Sequence, residues 1–377
     1  MGLKRVLITG GAGFIARATT PVLLEAGWTI RALDLLDPQV HPSGLPELAP
    51  QVEFIHGDAG DPEMLESALQ GVDAVLHLAA RTGVGQSMYA VRDYVQTNVG
   101  ATAVLLELIA SGRCRPKKVV VASSRAVYGE GAYDCARCGP VAPTVREREH
   151  LERGEWEARC PTCDHAVSPA PTPEDKPLAP GSVYAITKRD QEEMVLCVAA
   201  AYGVAATALR YFNVYGPGQP PGNPYTGVIP ALAARILAGG TPDIYEDGKP
   251  LRDFVHVEDV ALANLMALES DSASGRALNI GSGQPVSILE AANVLTEALG
   301  GRLSPQVSGK FRIGDIRHCY ADLTRATELL GYRPTVSFEA GIGRMAGWLR
   351  ENCSADPSAA AADELAARGL LGEAPVR

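Results

Sequence analysis

Tyr184 and Lys188, in the segment Tyr184-Ala185-Ile186-Thr187-Lys188, stand four residues apart, so a helix sets phenol and ammonium on one face. A phenol is normally too weak a base at neutral pH, but a neighbouring cation stabilises its phenolate and lets it accept a hydroxyl proton. Ser124 closes a strand-like apolar run at Val119 to Ala122 and is placed to hydrogen-bond the same oxygen, holding it while hydride leaves the attached carbon. These three are the candidate catalytic residues. The hydride needs an acceptor, and Gly10-Gly11-Ala12-Gly13-Phe14-Ile15-Ala16 fits the turn that cradles a dinucleotide pyrophosphate. One glycine permits the tight turn, another admits phosphate close to the backbone, and Ala16 takes the third small position. The N–H groups that open the following helix face the anion. Asp34 ends the second apolar run about 20 residues on, where a carboxylate accepts both adenosine ribose hydroxyls and favours NAD over NADP. Asp58, after Gly57, is placed for the adenine amino group or for a plain turn.

Four of the eight cysteines form a second constellation. Cys135-Ala136-Arg137-Cys138-Gly139 and Cys160-Pro161-Thr162-Cys163-Asp164 are paired C-x-x-C knuckles with the spacing of a four-cysteine zinc ribbon. Four sulfur ligands leave no open position, so the expected zinc is structural. A polar segment without its own core gains its stability from such a metal. Independent thiol pairs or redox disulfides are the other reading of this spacing. Cys114, Cys197, Cys319 and Cys353 are scattered and read as ordinary buried or surface thiols.

The elements that must position these residues alternate. Val6 to Thr9, Trp28 to Leu33, Val52 to Ile55, Ala74 to Leu78 and Val119 to Ala122 are short apolar runs, separated by helical patterns such as Ile15 to Ala26 and Val99 to Ser111. Such alternation predicts an α/β fold, a Rossmann-like, doubly wound parallel sheet. Between Tyr128 and Tyr184 the periodicity gives way to Pro, Cys, Arg and Glu, which marks an insertion, and Ser182 to Tyr202 then resumes as an amphipathic helix before a strand at Ala206 to Tyr211. The expected organisation is a dinucleotide-binding domain over 1–215, interrupted by the zinc-ribbon-like insertion over 131–175. A smaller substrate domain follows over 216–352, with segments returning to the core, and then a tail over 353–377 to which no function is assigned.

An apolar fraction of 46% over 377 residues supports a sizeable core and excludes disorder throughout. A net charge of −10 and the absence of a long basic run argue against a nucleic-acid partner. The N-terminus reads as a first strand and not as a secretory signal, and no apolar run reaches the length of a membrane span, so a cytoplasmic location is expected.

With these motifs in place, residues 3 to 350 resemble the extended short-chain dehydrogenase/reductase family, and within it the NAD-dependent nucleotide-sugar epimerases and dehydratases. Further segments carry the likeness: Leu78-Ala79-Ala80, Asn98, Val127-Tyr128-Gly129, Arg210 to Pro217 and Arg252-Asp253-Phe254-Val255-His256-Val257. The resemblance implies NAD contacts from Gly10, Gly13, Phe14, Ile15, Asp34, Asp58, Ala59, Leu78, Ala79, Ala80, Asn98 and Ser123, besides Tyr184 and Lys188. It implies that Asn213, Arg252 and Arg317 hold the donor diphosphate, with Gln86, Ser87, Ser124 and Arg125 at the sugar. The chemistry agrees, since arginine offers a planar fork to phosphate oxygens. A homodimer built on Val99 to Ser111 and Ser182 to Tyr202 is a further expectation from the family.

The family resemblance also bears on the reaction. Relatives that eliminate water carry an acidic pair after the catalytic serine, and decarboxylating relatives carry a Glu at the second position; here the two residues are Arg125 and Ala126. Without an acid to protonate a leaving hydroxyl, oxidation and re-reduction at C4 of a nucleoside-diphosphate sugar is the expected reaction. A dehydratase, decarboxylase, reductase or 3,5-epimerase on a similar donor, and a noncatalytic NAD-binding regulator, are the alternatives. Gly83 to Tyr89, Asn223-Pro224-Tyr225-Thr226-Gly227-Val228 and the cysteine insertion are similar to the group of dTDP-L-rhamnose 4-epimerases. Arg125 beside the sugar either meets a carboxylated substrate such as a uronic acid or points into solvent.

Overall fold

The computed structural model describes residues 4–220, 227–353 and 358–375. Asn223 to Thr226, part of one segment on which the group likeness rests, lie outside these residues. The first strands are β1 (Lys4–Thr9), β2 (Trp28–Asp34), β3 (Val52–His56), β4 (Ala74–His77) and β5 (Lys118–Ser124). Three short strands of the insertion follow, β6 (Ala132–Cys135), β7 (Gly139–Val141) and β8 (Val167–Ala170). Then come β9 (Ala205–Tyr211), β10 (Asn213–Tyr215), β11 (Asp243–Ile244), β12 (Leu251–His256) and β13 (Arg276–Ile280).

Seven of these form one parallel sheet in the order β13-β9-β5-β4-β1-β2-β3. Both faces are covered, and the strands show why they are apolar throughout: Val6 and Ile8 pack into the core on one face while Leu7 packs into the core on the other. The chain runs outward from β1 in both directions, so the β1/β4 boundary is the switch point at which a crevice opens beyond the carboxyl ends of the strands. Gly10, Asp34, Leu78 and Ser124 sit at or just after the ends of β1, β2, β4 and β5.

A third core lies beyond the sheet. Ile229, Leu232, Leu295, Ile342 and Met345 pack around Tyr215 and Phe254, using helices Val228–Leu237, Ile288–Leu299 and Phe338–Asn352. Between them the helix Val257–Glu269 returns to pack on the helix Phe14–Glu25, and β13 completes the main sheet. β10 and β12 pair in parallel, which sets Asn213 opposite Phe254 and carries the chain from one core to the other.

The insertion is a three-stranded antiparallel sheet, β7-β6-β8, separate from the main one. It docks against the C-terminal half by ion pairs: Arg146 forks onto Glu246 at 2.8 and 2.9 Å, both buried, and half-exposed Glu157 accepts from buried Arg317. The tail forms the helix Ser358–Ala367 and a strand Leu371–Glu373 paired antiparallel with Lys310–Arg312.

Candidate active site

The glycine turn needs its glycines for different reasons. Gly10 has φ +68°, and a Cβ there would meet the Ala79 backbone at 3.0 Å; Gly11 is closed off more tightly, since a Cβ on it would fall 2.5 Å from Ala32 Cβ. Gly11, to which the motif assigned no separate task, is therefore the packing glycine. Gly13 caps the helix Phe14–Glu25 without any side chain, which leaves the first-turn N–H groups facing the crevice. Asp34 accepts from Ala12 N–H at 3.0 Å and from Leu36 N–H at 2.8 Å, so its carboxylate is fixed at the rim of this cradle. Asp58 holds its own turn through Gly60 N–H at 2.7 Å and also lines the crevice.

The crevice is a cavity of about 480 Å³, within the range of a small-molecule site. Gly10, Gly13, Phe14, Ile15, Asp34, Asp58, Ala59, Leu78, Ala79, Ala80, Ser123, Ser124, Tyr184 and Lys188 all line it, as do Gln86, Arg125 and Asn213. Asn98 is not among its lining residues. It is fully buried behind the wall in a π-helical turn, Val95–Gly100, accepting from Arg81 N–H at 2.7 Å and donating to Thr187 at 2.9 Å. It ties the loop after β4 to the helix that carries Tyr184. Ser87 is likewise fully buried, donating to Val84 O at 2.7 Å outside the cavity.

Ser182 caps the helix Val183–Ala201 by accepting from Ala185 N–H, and this start places Tyr184 in the first turn, facing Ser124. Burial raises the Tyr184 phenol, while the neighbouring Ser124 hydroxyl and the positive charge of Arg125 pull it back. Lys188 donates to Ala122 O and to Gln191 Oε1, both at 2.9 Å, and burial lowers its ammonium to about 7. The positive charge of Arg125 also bears on Tyr184. Arg125 has no hydrogen bond or ion pair among the described residues and lines both this cavity and the next one.

A buried polar chain runs from Lys188 back to the glycine loop. Gln191 donates to Thr102 Oγ1 at 2.8 Å, Thr102 donates to Asn98 O at 2.6 Å, and His77 bridges Thr102 at 3.0 Å and Thr9 at 2.8 Å. With the Thr102 proton committed to Asn98, these partners assign the His77 proton to Nε2, so Nδ1 accepts from Thr9. Burial lowers His77 to about 3, so the ring is neutral. Beside it, Ser123 donates to Glu192 at 2.6 Å, and Glu192 holds Arg210, whose guanidinium also reaches Tyr128. Gln191, Glu192 and His77 lie on helix and strand positions that the motif reading passed over, because a buried polar residue has no spacing signature; Arg210 opens a segment of the family likeness, which assigns it no role.

A second cavity, about 600 Å³, shares Val84, Arg125, Asn213, Gly227 and Val228 with the first. Arg125, Arg235, Arg252, Lys310 and Arg312 line it together with Asp243, Glu246, Asp315 and Asp363; Lys310 is paired with Asp243, and Arg252 donates to the Leu251, Ile316 and Arg317 carbonyls. Asn213 Oδ1 is buried without a hydrogen-bond partner, an acceptor that a ligand hydroxyl or N–H would satisfy. Arg317, grouped with Arg252 by resemblance, lies elsewhere: it lines neither cavity, is fully buried, and is shared among Glu157, Glu246 and Asp247. The three carboxylates satisfy the fork that a phosphate would need.

Cys135, Cys138, Cys160 and Cys163 converge, with all four sulfurs within 4.8 Å of one another. Tetrahedral zinc with bonds of about 2.3 Å sets sulfurs about 3.8 Å apart, so the cluster fits that ion.

A family model described as the NAD dependent epimerase/dehydratase family matches residues 6–146 and 162–281. The chain belongs to that family. The break in the match, 147–161, falls inside the insertion. Among curated relatives, the chain is similar to dTDP-L-rhamnose 4-epimerase of Burkholderia thailandensis, 36% identical over 353 residues that cover 92% of this chain and 95% of that protein. Among solved structures, UDP-glucose 4-epimerase of Thermotoga maritima with UDP-glucose matches with a TM-score of 0.76 and 31% identity, over 93% of this chain and 100% of that one. UDP-glucuronic acid 4-epimerase of Bacillus cereus, in complex with UDP-glucuronic acid and NAD, matches with a TM-score of 0.73 and 26% identity, over 92% and 99%. Nucleotide-sugar dehydratases and a decarboxylase also occur among the relatives.

Proposed function

We propose that this family member is an NAD-dependent nucleoside-diphosphate-sugar 4-epimerase. The observation that carries the reading is that Ser124 and Tyr184 line the cavity with the dinucleotide cradle, beside Arg125 and Asn213, which also line the second cavity. The first cavity's lining carboxylates are Asp34, Asp37 and Asp58, which belong to the ends of β2 and β3 and not to the Ser124 loop. Beside Ser124 stand Arg125 and Ala126, so no acid is placed there to expel a sugar hydroxyl.

NAD fits the cradle because Gly10 and Gly13 leave room where a Cβ would close on backbone, and because Asp34 is aimed across the turn. When bound it supplies a hydride acceptor and, on return, the donor. The chain's residues do the rest. Tyr184 accepts the C4 hydroxyl proton, Ser124 holds that oxygen, and Arg125 favours the ionised phenol. Asn213 and Arg252 anchor the diphosphate, so that the 4-keto sugar can turn about its linkage and present the other face of C4 to the returning hydride, while Tyr184 returns the proton to the C4 oxygen. Arg317 has no part in this binding set.

The four cysteines hold structural zinc, a set closed to substrate. Met88, Val91, Val95 and Ile186 are 39–45% exposed, on or beside segments that contact one another, and such exposed apolar side chains support a homodimer. Light scattering of Val91→Glu/Val95→Glu against the unchanged chain checks the dimer, which this pair is expected to dissociate. No described helix is long and apolar enough to cross a membrane. The reading is tested by supplying dTDP-, UDP- and GDP-sugars without added reductant: a C4 epimer of unchanged mass is expected, and mass loss or net reduction of NAD contradicts it.

A further inference from the structure

The second cavity is not closed by the substrate half alone. Ala362, Asp363, Leu365, Ala366, Leu370 and Leu371 line it, all from the C-terminal segment. That segment is fastened on three sides, each in a different part of the fold. Toward the dinucleotide half, Leu365 is 4% exposed and packs on Gly85, where a Cβ would meet its Cδ2 at 3.3 Å. Tyr89 donates to Glu364 at 2.7 Å, and the Arg368 guanidinium lies 4.1 Å from the Tyr89 ring centroid. Toward the substrate half, Leu371–Glu373 pairs with Lys310–Arg312, and Ile313 N–H donates to Leu370 O at 3.0 Å. Toward the insertion, Ala374 is buried with Phe311 and Leu151, and Trp156 packs on the same cluster.

We infer that residues 362–374 are a working wall of the donor site: they bridge its two sides and set how tightly the nucleoside end of the donor is held. This rests on the proposed nucleotide-sugar reading and extends it to a segment that carries no catalytic motif. The chemistry of the wall differs from that of the floor. Arg125, Arg252 and Arg312 offer charge for a diphosphate, whereas Leu365, Leu370 and Leu371 offer apolar surface. A nucleoside diphosphate presents both, an apolar base face and a charged linkage, and the wall meets the first. Two three-residue strands are marginal by themselves. The Leu365 and Ala374 contacts therefore decide whether the wall stands, and loosening them is expected to weaken donor binding while leaving the chemistry beside Ser124 intact.

The test measures binding of dTDP, UDP, GDP and ADP to the NAD-loaded protein by calorimetry, using the full chain, a chain ending at Cys353, and Leu365→Ala. The wall predicts that the nucleotide bound by the full chain binds at least 10-fold more weakly to the truncated chain and roughly 3- to 10-fold more weakly to Leu365→Ala. With an active donor, KM rises by similar factors and kcat stays within about twofold. Should truncation unfold the protein, Leu365→Ala decides. Equal affinities in the full chain and the folded variant overturn the inference, as does a full chain that binds none of the four nucleotides. Failure of the epimerase reading is distinct: it shows as absence of C4 epimer from the full chain, whatever the affinities.

Discussion

Tyr184 is a buried phenol that must give and take a proton, and burial pushes its pKa above the ordinary phenol value. Replacing it by Phe removes the proton acceptor, and kcat is expected to fall about 10²- to 10⁴-fold in stopped assays while NAD stays bound. Arg125 gives a sharper test. A phenol acts as base only when ionised, so the rate falls as pH drops through its pKa, and a cation that lowers that pKa moves this limb to lower pH. Arg125→Met removes the cation; the acid limb of kcat is then expected to move to higher pH, with roughly a 10-fold loss at neutral pH, read from a pH–rate profile. An unmoved limb assigns Arg125 to substrate alone. Ser124, Tyr184, Lys188 and Asp34 were legible as residue types at known spacings. The role of Arg125 was not, because which cation bears on the phenol depends on a loop conformation that no spacing reports. Arg317 shows the same limit from the other side: its surroundings are carboxylates contributed from Glu157 in the insertion and from Glu246 and Asp247, remote in sequence.

At the level of elements, the helix Val183–Ala201 and strands β5 and β9 are locked by one buried ion pair. Arg210 and Glu192 have side chains only 6% and 4% exposed, and Ser123 and Tyr128 complete their bonds. Removing one partner leaves the other charge buried, so Glu192→Ala is expected to cost about 3–5 kcal/mol in denaturant unfolding. A surface pair such as Arg189–Glu193, about half exposed, is expected to cost under about 1 kcal/mol. The insertion answers to its metal. Purified protein is expected to carry one zinc per chain by metal analysis, and Cys160→Ser or a strong chelator is expected to release it and expose 131–175 to protease. Full retention of the insertion's protease resistance without metal contradicts the zinc assignment. Strand alternation made β1 to β5 readable in advance. β6 to β8 were not visible, because three- and four-residue strands held by a cysteine cluster have too little apolar pattern to register.

Across the whole molecule, function depends on joining a dinucleotide crevice to a second cavity, and on three chain segments that meet around the second one. The parallel sheet and its switch point follow from apolar runs separated by helices, and so were open to sequence reading. The tail's position was not, since Ala, Glu and Pro composition is compatible with a free end, and only Leu365 and Ala374 reveal that it is packed. The return of β13 to the main sheet likewise depends on pairing with β9, a partner that sequence order does not indicate. The central claim is that this assembled site inverts one carbinol centre without net redox change. Its most direct measurement is NMR of the products formed from a panel of dTDP-, UDP- and GDP-sugars, including 6-deoxy sugars and uronic acids, with no reductant supplied. Interconversion of one donor with its C4 epimer at constant mass is the predicted result; a product that has lost water or carbon dioxide, or stoichiometric accumulation of NADH, contradicts the account.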